Sequence, residues 1–277
     1  MLTLLKLGGE LLEGPVAMRE VASAAAHLAA EGPLVIVHGG GRAIDAELRA
    51  KGIEPRFVDG LRITDADTLD VVIAVLAGRN NTALVAALHA AGVRAVGLTG
   101  ADGAIGLSER APLFTAASGE QVDLGLVGQP VDTTGSLLKN LTRDGYVPVI
   151  ASIGIDANGT LLNVNADTLA AHLAGAMGAA RLIIAGGTAG VLDGEGNPIV
   201  ALDLQRVDAM IASGEAHSGM VAKLAACRTA IAHGVAEVAI VSGRGVMDFN
   251  EAVGTHLRSS GYGGQARLRA EIANCEL

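Results

Sequence analysis

Short runs of aliphatic residues alternate along the chain with longer stretches in which Ala and Leu recur at helical spacing. Leu2–Leu7 and Leu34–His38 predict buried strands, and each is followed by a predicted helix, at Val16–Ala30 and Gly41–Ala50. The same pattern predicts further buried strands at Arg94–Leu98, Val147–Ile150, Arg181–Ala185 and Val238–Val241. This alternation predicts an α/β fold in which an open, mainly parallel central sheet is sandwiched by helices.

The rest of the chain carries helical and turn patterns. Helices are predicted at about Asp65–Ala77, Thr82–Ala91, Gly135–Arg143, Ala166–Met177, Leu204–Ala212 and Ser218–His233. The stretch Ile105–Val131 alternates less regularly and predicts short antiparallel strands, while Asp193–Asn197 predicts a hairpin-like turn. Because no Pro- or Ser-rich linker separates two halves, we expect the two lobes of the chain to share one continuous sheet.

Composition narrows the class of protein. Half of the 277 residues are hydrophobic and 18% are charged, which excludes a disordered chain. A net charge of −9 argues against nucleic-acid binding, which needs a basic surface. The sequence predicts no membrane span and no signal peptide. With two distant cysteines, Cys227 and Cys275, the protein is expected to be cytoplasmic, without a nucleic-acid or membrane partner.

Three glycine-rich turns follow predicted strands, at Lys6–Gly9, His38–Gly41 and Leu98–Gly103. Turns at the carboxyl edge of a parallel sheet are where ligands bind, because their backbone N–H groups and a following helix N-terminus attract anions. A single turn of this kind also occurs where a tight turn needs glycine. The prediction of an anion site therefore depends on the presence of three such turns. Neither the P-loop pattern nor the dinucleotide-binding G-x-G-x-x-G pattern is present.

Three cationic side chains are candidates for an anion site. Lys6 lies inside a predicted central strand, where a buried ammonium is costly unless it meets an anion. The alternative is an edge-strand lysine that reaches water. Lys223 lies about one turn inside a predicted helix, where an ordinary solvated lysine is the alternative. Arg62 precedes a helix with Thr64 as its predicted N-cap, and it could clamp a carboxylate or lie on the surface.

Polar residues at alternate positions lead into another predicted helix, namely Asn163, Asn165 and Asp167. Helix capping accounts for one of them. Three exceed what a cap needs, and an ionised Asp167 between two lysines would fix their orientation and charge.

Five motifs together resemble those of the amino-acid kinase family, and most closely those of its N-acetyl-L-glutamate kinases. In chain order they are Lys6–Gly9, Val37–Gly41, Gly60–Thr64, Asn163–Asp167 and Gly219–Lys223. The resemblance covers Leu2 to about Gly245 and implies the open, mainly parallel fold that carbamate kinases also have. It further implies transfer of a phosphoryl group from ATP, with Mg²⁺, to the γ-carboxylate of N-acetyl-L-glutamate in arginine biosynthesis.

The resemblance implies a role for each matching position. Lys6 and Lys223 would stabilise the transferring phosphoryl group, and Asp167 would orient both lysines. The acceptor would be bound by Gly40, Gly41, Arg62 (at its α-carboxylate) and Asn163 (near its N-acetyl group). The nucleotide would contact Gly8, Gly9, Gly187, Thr188, Ala189, Gly190, Val191, Leu192, Glu215, Ala216 and His217. No residue is assigned as a metal ligand. Residues 1–162 would form the lobe for substrate binding and dimerisation, and residues 163–277 the ATP-binding lobe.

The chain departs from the family pattern in two places. Gly187 stands where the family usually has a carboxylate, which affects the expected adenosine contacts. The segment from Val246 onward matches poorly: Gly261–Gln265 lacks the usual Gly-Thr ending, and Gly254–Thr255 comes early for it.

Assembly and the exact acceptor leave alternatives open. The first predicted strand begins at Leu2, which leaves no residues for the N-terminal helix that the resemblance associates with arginine-inhibited hexamers. We therefore expect a homodimer that is insensitive to arginine.

One alternative function is a kinase for a related N-acylated or carrier-protein-bound glutamate or aminoadipate. Another is a non-catalytic nucleotide sensor, which Gly187 favours and the intact lysines oppose.

Overall fold

The computed structural model describes residues 1–116, 118–131, 135–216 and 219–258. The helices are α1 (Pro15–Glu31), α2 (Gly41–Ala50), α3 (Ala66–Ile73), α4 (Asn81–Ala90), α5 (Ser136–Arg143), α6 (Ala166–Met177), α7 (Leu204–Ala212) and α8 (Gly219–Ala232). The strands are β1 (Thr3–Leu7), β2 (Leu34–His38), β3 (Phe57–Val58), β4 (Leu61–Arg62), β5 (Ala95–Thr99), β6 (Ser108–Arg110), β7 (Phe114–Thr115), β8 (Gln121–Val122), β9 (Val127–Pro130), β10 (Val147–Ala151), β11 (Ile153–Ile155), β12 (Leu161–Val164), β13 (Arg181–Gly186), β14 (Val191–Leu192), β15 (Pro198–Ile199), β16 (Ala201–Leu202), β17 (Glu237–Ser242) and β18 (Gly254–Arg258).

An eight-stranded sheet carries strands from both halves of the chain, in the order β16-β18-β17-β13-β1-β2-β10-β5. Its neighbours are parallel except for β17 and β18, which pair antiparallel. The predicted α/β fold with an open, mainly parallel sheet is confirmed, and so is the expectation of one continuous sheet. Smaller antiparallel pairs form within the irregular stretch 105–131, as predicted.

Strand β1 lies at the centre of the sheet and separates two hydrophobic layers. Leu5 and Leu7 pack with residues of α1 and α4, while Leu4 packs with residues of α6 and α8. Since side chains alternate along a strand, Lys6 is on the same face as Leu4. The chain proceeds from β1 to β2 on one side and returns as β13 on the other. This makes the carboxyl end of β1 the switch point at which open α/β sheets bind ligands.

The two helices predicted between residues 65 and 91 are in fact one continuous helical run from Ala66 to Ala90. Its middle part, Ala74–Asn80, is π-helical, a form with one extra residue per turn that is common at functional sites. Both Asn80 and Asn81 are buried there, and Asn81 Nδ2 donates to Val149 O at 2.9 Å. Asn81, which lies between the two predicted helices, is therefore satisfied by a hydrogen bond inside the protein.

This helical run is long and apolar enough to cross a membrane by length and composition alone, although the sequence analysis predicted no span. About 44% of its most apolar window is buried within the protein, where α4 contacts α1 and β5. Core helices of globular proteins meet the same criterion, so the run is weak evidence for a membrane.

The N-cap of α3 is Asp65 and not the predicted Thr64. Asp65 Oδ1 accepts a hydrogen bond from Thr68 N at 2.9 Å. Thr64 is instead held in extended backbone, because its N–H donates to Leu124 O at 2.9 Å and its carbonyl accepts from Leu126 N at 2.7 Å.

The segment after Val246, which matched the family poorly, completes the sheet through β18. Thr255 Oγ1 accepts from Val191 N at 2.8 Å and donates to Ile199 O at 2.5 Å. Gly254–Thr255 therefore closes the C-terminal half of the sheet, despite coming early in the sequence. Gly261–Gln265 lies outside the described residues.

Candidate active site

Two lysines and one aspartate meet at the carboxyl end of β1. Lys6 Nζ lies 2.8 Å from Asp167 Oδ1, and Lys223 Nζ lies 3.1 Å from Asp167 Oδ2. The three side chains are only 6%, 16% and 8% exposed for Lys6, Lys223 and Asp167. The expected position of Asp167 between two lysines is thus observed, with each oxygen of its carboxylate facing one ammonium group.

Burial and charge act in opposite directions on these groups. Burial lowers the pKa of Lys6, which the neighbouring Lys223 reinforces and Asp167 only partly offsets. For Lys223, which is less deeply buried, Asp167 outweighs burial and raises the pKa. For Asp167, burial alone would raise the pKa, but the two lysines hold it below its ordinary range. The carboxylate is therefore ionised at neutral pH and holds two positive charges in place.

The local sequence explains why Asp167 can serve this purpose. Asn165 caps α6, because its Oδ1 accepts from Asp167 N at 2.9 Å and from Thr168 N at 3.1 Å. The Asp167 side chain is free of the capping task and sits in the first turn, where the helix dipole favours a negative charge. Of the three polar residues that lead into this helix, Asn165 is the cap and Asp167 is the ion-pair partner.

Two of the three predicted glycine turns come together beside these charges. A Cβ on Gly9 would lie 2.5 Å from Gly40 Cα, so the turns after β1 and β2 touch through their backbones. A Cβ on Gly40 would in turn lie 2.5 Å from the Nδ2 of the buried Asn80. Glycine is needed here for the close approach of two backbones, which leaves their N–H groups at the same edge of the sheet.

The third glycine turn, Leu98–Gly103, does not join the site, contrary to the sequence-based interpretation. It follows β5, the edge strand on the far side of β10. Its Thr99 N–H and hydroxyl both bind Asp102 Oδ2, at 2.7 and 2.9 Å, within the turn itself. A Cβ on Gly100 would clash with the carbonyl of Ile153, so packing explains this glycine.

Arg62, at the end of the β3–β4 hairpin, is brought to the turn after β2. Its Nη2 lies 2.6 Å from Asp45 Oδ1 and donates to Gly41 O at 3.3 Å. The guanidinium also stacks 4.6 Å from the ring centre of Phe57. The side chain is only 8% exposed, yet Nη1 is buried with no hydrogen-bond partner in the part of the chain that the structure describes. A buried guanidinium with an unused N–H group is a suitable donor for a ligand carboxylate.

Asn163 lies on β12 and is linked to the same region. Its Nδ2 donates to Thr64 Oγ1 at 3.0 Å, which ties β12 to the segment that carries Arg62. The substrate-binding residues proposed from the resemblance therefore form one connected set of contacts around Gly41.

The residues assigned to the nucleotide have more varied surroundings. Thr188 and Ala189 are exposed, and Leu192 is 43% exposed. Val191 and Ala216 pack in the hydrophobic core. Glu215 is held by Arg206, whose Nη2 lies 2.7 and 2.9 Å from its two carboxylate oxygens.

Two further positions in this set concern the loop after β13. Gly190 has a φ of +111° and packs against Thr255, so a side chain there would be strained. His217 lies outside the described residues.

Three contacting residues, Asp45, Glu10 and Asn81, were missed by the sequence analysis. Asp45 lies one turn into α2, and its partner Arg62 lies beyond the end of that helix, so no local spacing indicated the pair. Glu10 follows the first glycine turn, and its Oε1 accepts from Gly187 N at 2.8 Å. His38 belongs to the motif Val37–Gly41, but no sequence signal indicated that it pairs with the buried Asn81.

His38 and Asn81 form hydrogen-bond contacts next to the glycine turn that follows β2. His38 Nε2 and Asn81 Nδ2 are 3.1 Å apart, and Nδ1 of the histidine lies 3.1 Å from Gly39 O. Burial lowers the pKa of His38 to about 4, so the ring is neutral at neutral pH. Its role is to hold the backbone of the glycine turn.

The chemistry of the donor set fits a Mg²⁺ ion that enters with phosphate groups. In the part of the chain that the structure describes, no three His, Cys, Asp or Glu side chains are grouped as a metal site. Both oxygens of Asp167 face ammonium groups. Mg²⁺ usually keeps several waters and binds through substrate phosphates with one or two carboxylates at most. Such an ion would be held mainly by the phosphates of a bound nucleotide.

Comparison with known proteins agrees with this arrangement. The model of the amino acid kinase family matches residues 1–242. The chain is 41% identical to the acetylglutamate kinase of Sphingopyxis alaskensis over 245 residues, covering 87% of this chain and 81% of the relative. It is 38% identical to the acetylglutamate kinase of Methanopyrus kandleri over 247 residues, covering 88% and 96%.

Solved structures show the same fold. The structure of N-acetylglutamate synthase from Neisseria gonorrhoeae, complexed with coenzyme A and N-acetyl-glutamate, has a TM-score of 0.79 at 21% identity. The match covers 99% of this chain and 65% of that one. With a family match over residues 1–242 and two buried lysines held by Asp167 at the switch point of the sheet, the chain belongs to the amino acid kinase family.

Proposed function

We propose that this protein transfers the γ-phosphoryl group of ATP to the γ-carboxylate of N-acetyl-L-glutamate, forming N-acetyl-L-glutamyl 5-phosphate in arginine biosynthesis. Its similarity to acetylglutamate kinases over most of the chain supports the substrate. The observation that carries the proposal is the pair of ammonium groups that Asp167 holds at the carboxyl end of β1.

The reaction needs little proton chemistry from the protein. A γ-carboxylate is already ionised at neutral pH and attacks the γ-phosphorus without a general base. The task of the protein is to bring two anions together and to stabilise the charge on the transferring group. This explains why cationic side chains and backbone N–H groups make up the site, and why the neutral His38 stays buried beneath it.

Lys6 and Lys223 perform the charge stabilisation in this mechanism. Lys6 reaches the site from β1 and Lys223 from α8, and Asp167 fixes the two ammonium groups before substrate arrives. Such preorganised charges stabilise the transition state without reorganising during the reaction. Because Lys6 is held in a buried environment, its attraction to the transferring phosphoryl group is little screened by water.

Acceptor binding falls mainly to the N-terminal lobe, residues 1–162, and to Asn163, the first residue of the C-terminal lobe. Arg62 binds the α-carboxylate through Nη1, which has no partner among the described residues, while Asp45 holds Nη2. Gly40 and Gly41 approach the acceptor with their backbone, and Asn163 lies near its N-acetyl group. In this proposal the γ-carboxylate points toward Gly9 and the two lysines, and the contact between the turns of Gly9 and Gly40 supports that orientation.

Nucleotide binding falls to the C-terminal lobe, residues 163–277, and to the first glycine turn. Gly8 and Gly9 lie along the phosphates, and the loop Gly187–Leu192 with Glu215, Ala216 and His217 lies along the nucleoside. Bound Mg²⁺ would neutralise charge on the β- and γ-phosphates.

A direct test measures ADP release with a panel of acceptors. We expect activity with N-acetyl-L-glutamate and trapping of the acyl phosphate by hydroxylamine as a hydroxamate. N-acetyl-L-aspartate, free glutamate and N-succinyl-glutamate serve as competitors, and Lys6→Ala as the inactive control. A preference for another acceptor, or ADP release that is independent of any acceptor, would disprove the assignment.

The quaternary structure belongs to the same proposal. The apolar run Ala66–Ala90 has less than half of its most apolar window buried within one chain. The exposed positions of this run include small residues such as Ala74, Ala83 and Ala86, which would let a second copy approach closely in a two-fold symmetric contact. The proposed assembly is a cytoplasmic homodimer, formed through the N-terminal lobe.

A further inference from the structure

The carboxylate of Glu10 lies in the crevice but has no part in the mechanism above. Glu10 belongs to the short 3-10 turn Gly9–Leu11 that follows β1. Its Oε1 accepts a hydrogen bond from Gly187 N at 2.8 Å. Since Gly187 directly follows β13, this bond joins the carboxyl ends of two neighbouring central strands across the crevice.

Glycines provide the space that this carboxylate fills. A Cβ on Gly8 would lie 2.5 Å from Glu10 Oε2 and 2.6 Å from Oε1. A Cβ on Gly186 would lie 3.2 Å from Oε1, and one on Gly187 would lie 3.4 Å from Glu10 Cγ. The carboxylate therefore packs against the backbone of Gly8 and against that of Gly186 and Gly187. In the proposed function, the phosphates lie along the backbone of Gly8.

The charge of Glu10 also acts on the two lysines. Asp167 supplies one negative charge against two ammonium groups, which leaves one positive charge in excess. Burial lowers the pKa of Lys223, but Asp167 and, more weakly, Glu10 hold it above its ordinary value. Glu10 opposes the lowering of the pKa of Lys6 in the same way. Without nucleotide, Glu10 thus balances the charge of the site.

We propose that Glu10 is an internal anion that occupies part of the phosphate subsite and is displaced when a nucleotide binds. The donors around it are those that bind phosphate elsewhere, namely a backbone N–H at the end of a strand and nearby ammonium groups. The inference rests on the proposed function in one respect, the identification of this crevice as the phosphate site. Its consequence is that Glu10 weakens nucleotide binding, because the apparent Kd rises as the fraction of molecules with a free site falls.

The test is calorimetric titration of the full chain, wild type and Glu10→Gln, with ADP and with tripolyphosphate. We expect both to bind about three- to tenfold more tightly to the variant, which corresponds to a free crevice in about a third to a tenth of wild-type molecules. Adenosine, measured by saturation-transfer NMR, should bind both proteins equally because it lacks phosphates. Glu13→Gln is the matched control, since Glu13 is 43% exposed and pairs with the exposed Arg42 on α2.

A second variant, Glu10→Ala, removes the volume of the side chain as well as its charge and should show at least the same gain. Unchanged or weaker binding of ADP and tripolyphosphate to both variants would overturn the inference. So would a parallel change in adenosine binding, which would indicate a general effect on the loop after β13. These titrations contain no acceptor, so a failure to phosphorylate N-acetyl-L-glutamate would refute the proposed function and leave this result standing.

Discussion

The substitution Asp167→Asn isolates the charge that holds the two lysines. It keeps the shape of the side chain and leaves the cap of α6 intact, because Asn165 supplies that cap. It removes the negative charge that lies 2.8 Å from Lys6 and 3.1 Å from Lys223. Two buried ammonium groups would then face each other without an anion between them.

The expected magnitude follows from the burial of the three groups. Removing one partner of a buried ion pair costs about 3–5 kcal/mol, because the remaining charge stays desolvated. The lower end, about 3 kcal/mol, applies here, since Lys223 is 16% exposed and can turn toward water. Its movement away from Lys6 also disturbs the preorganised site, so we expect kcat to fall on the order of 100-fold.

Two measurements check this prediction. Urea unfolding followed by circular dichroism gives the change in the free energy of unfolding, and a coupled ADP assay gives kcat. The matched control is Asp208→Asn, which removes an exposed carboxylate 3.0 Å from Arg228 and should change stability by less than about 0.5 kcal/mol. A kcat within threefold of wild type, in a variant that is fully folded, would refute the role given to Asp167.

Four further outcomes are expected. Arg62→Lys should raise KM for N-acetyl-L-glutamate by about tenfold and leave KM for ATP nearly unchanged, because an ammonium cannot replace the planar fork. Arg110→Lys, at an exposed ion pair, is the control. An effect confined to ATP would show that Arg62 does not bind the acceptor. Because the pKa of Lys6 is lowered from its ordinary 10.5 and the ammonium is the active form, kcat should decline on the alkaline side below pH 10.5, whereas a profile that is flat up to that pH would contradict the assignment. Gly187→Asp should fold, since its Cβ would meet only flexible side-chain atoms of Arg244 and Glu10. The variant should bind ATP more tightly or prefer ATP over GTP more strongly. No change in either quantity would show that residue 187 does not contact the nucleoside. Light scattering should give the mass of a dimer, and a monomer or hexamer would contradict the proposed assembly.

The same ion pairs predict that the folding stability of the protein decreases as the pH falls into the acid range. The pKa of Asp167 is lower in the folded protein than the ordinary 3.8. The stabilisation from ionised Asp167 is therefore complete above the ordinary value and is lost as pH falls through the lowered one. The wild-type protein should thus lose more stability than Asp167→Asn on going from pH 5 to pH 2, and equal losses would contradict this explanation.

Most of the fold could be predicted because the signal is local. Strands such as Arg181–Gly186 contain an uninterrupted aliphatic run, here Leu182–Ala185, and helices such as Ala166–Met177 show helical spacing and a clear cap. The continuous run Ala66–Ala90 could not be predicted, since its interruption by Asn80 and Asn81 is resolved only by burial against other elements. The sequence between two predicted helices does not indicate whether a strand elsewhere in the chain will form hydrogen bonds with its polar side chains.

The sequence by itself determined the order of strands and helices, the parallel sheet, and the presence of a lysine in its central strand, because periodicity and the cost of a buried charge are properties of short segments. Only the tertiary structure decided which residues meet. It paired Arg62 with Asp45, brought Glu10 to Gly187 across 177 positions of sequence, and left the turn after β5 at the edge of the sheet. Such contacts join segments that are far apart in the chain, and they depend on strand order and on the close approach of glycine backbones, which no local pattern encodes.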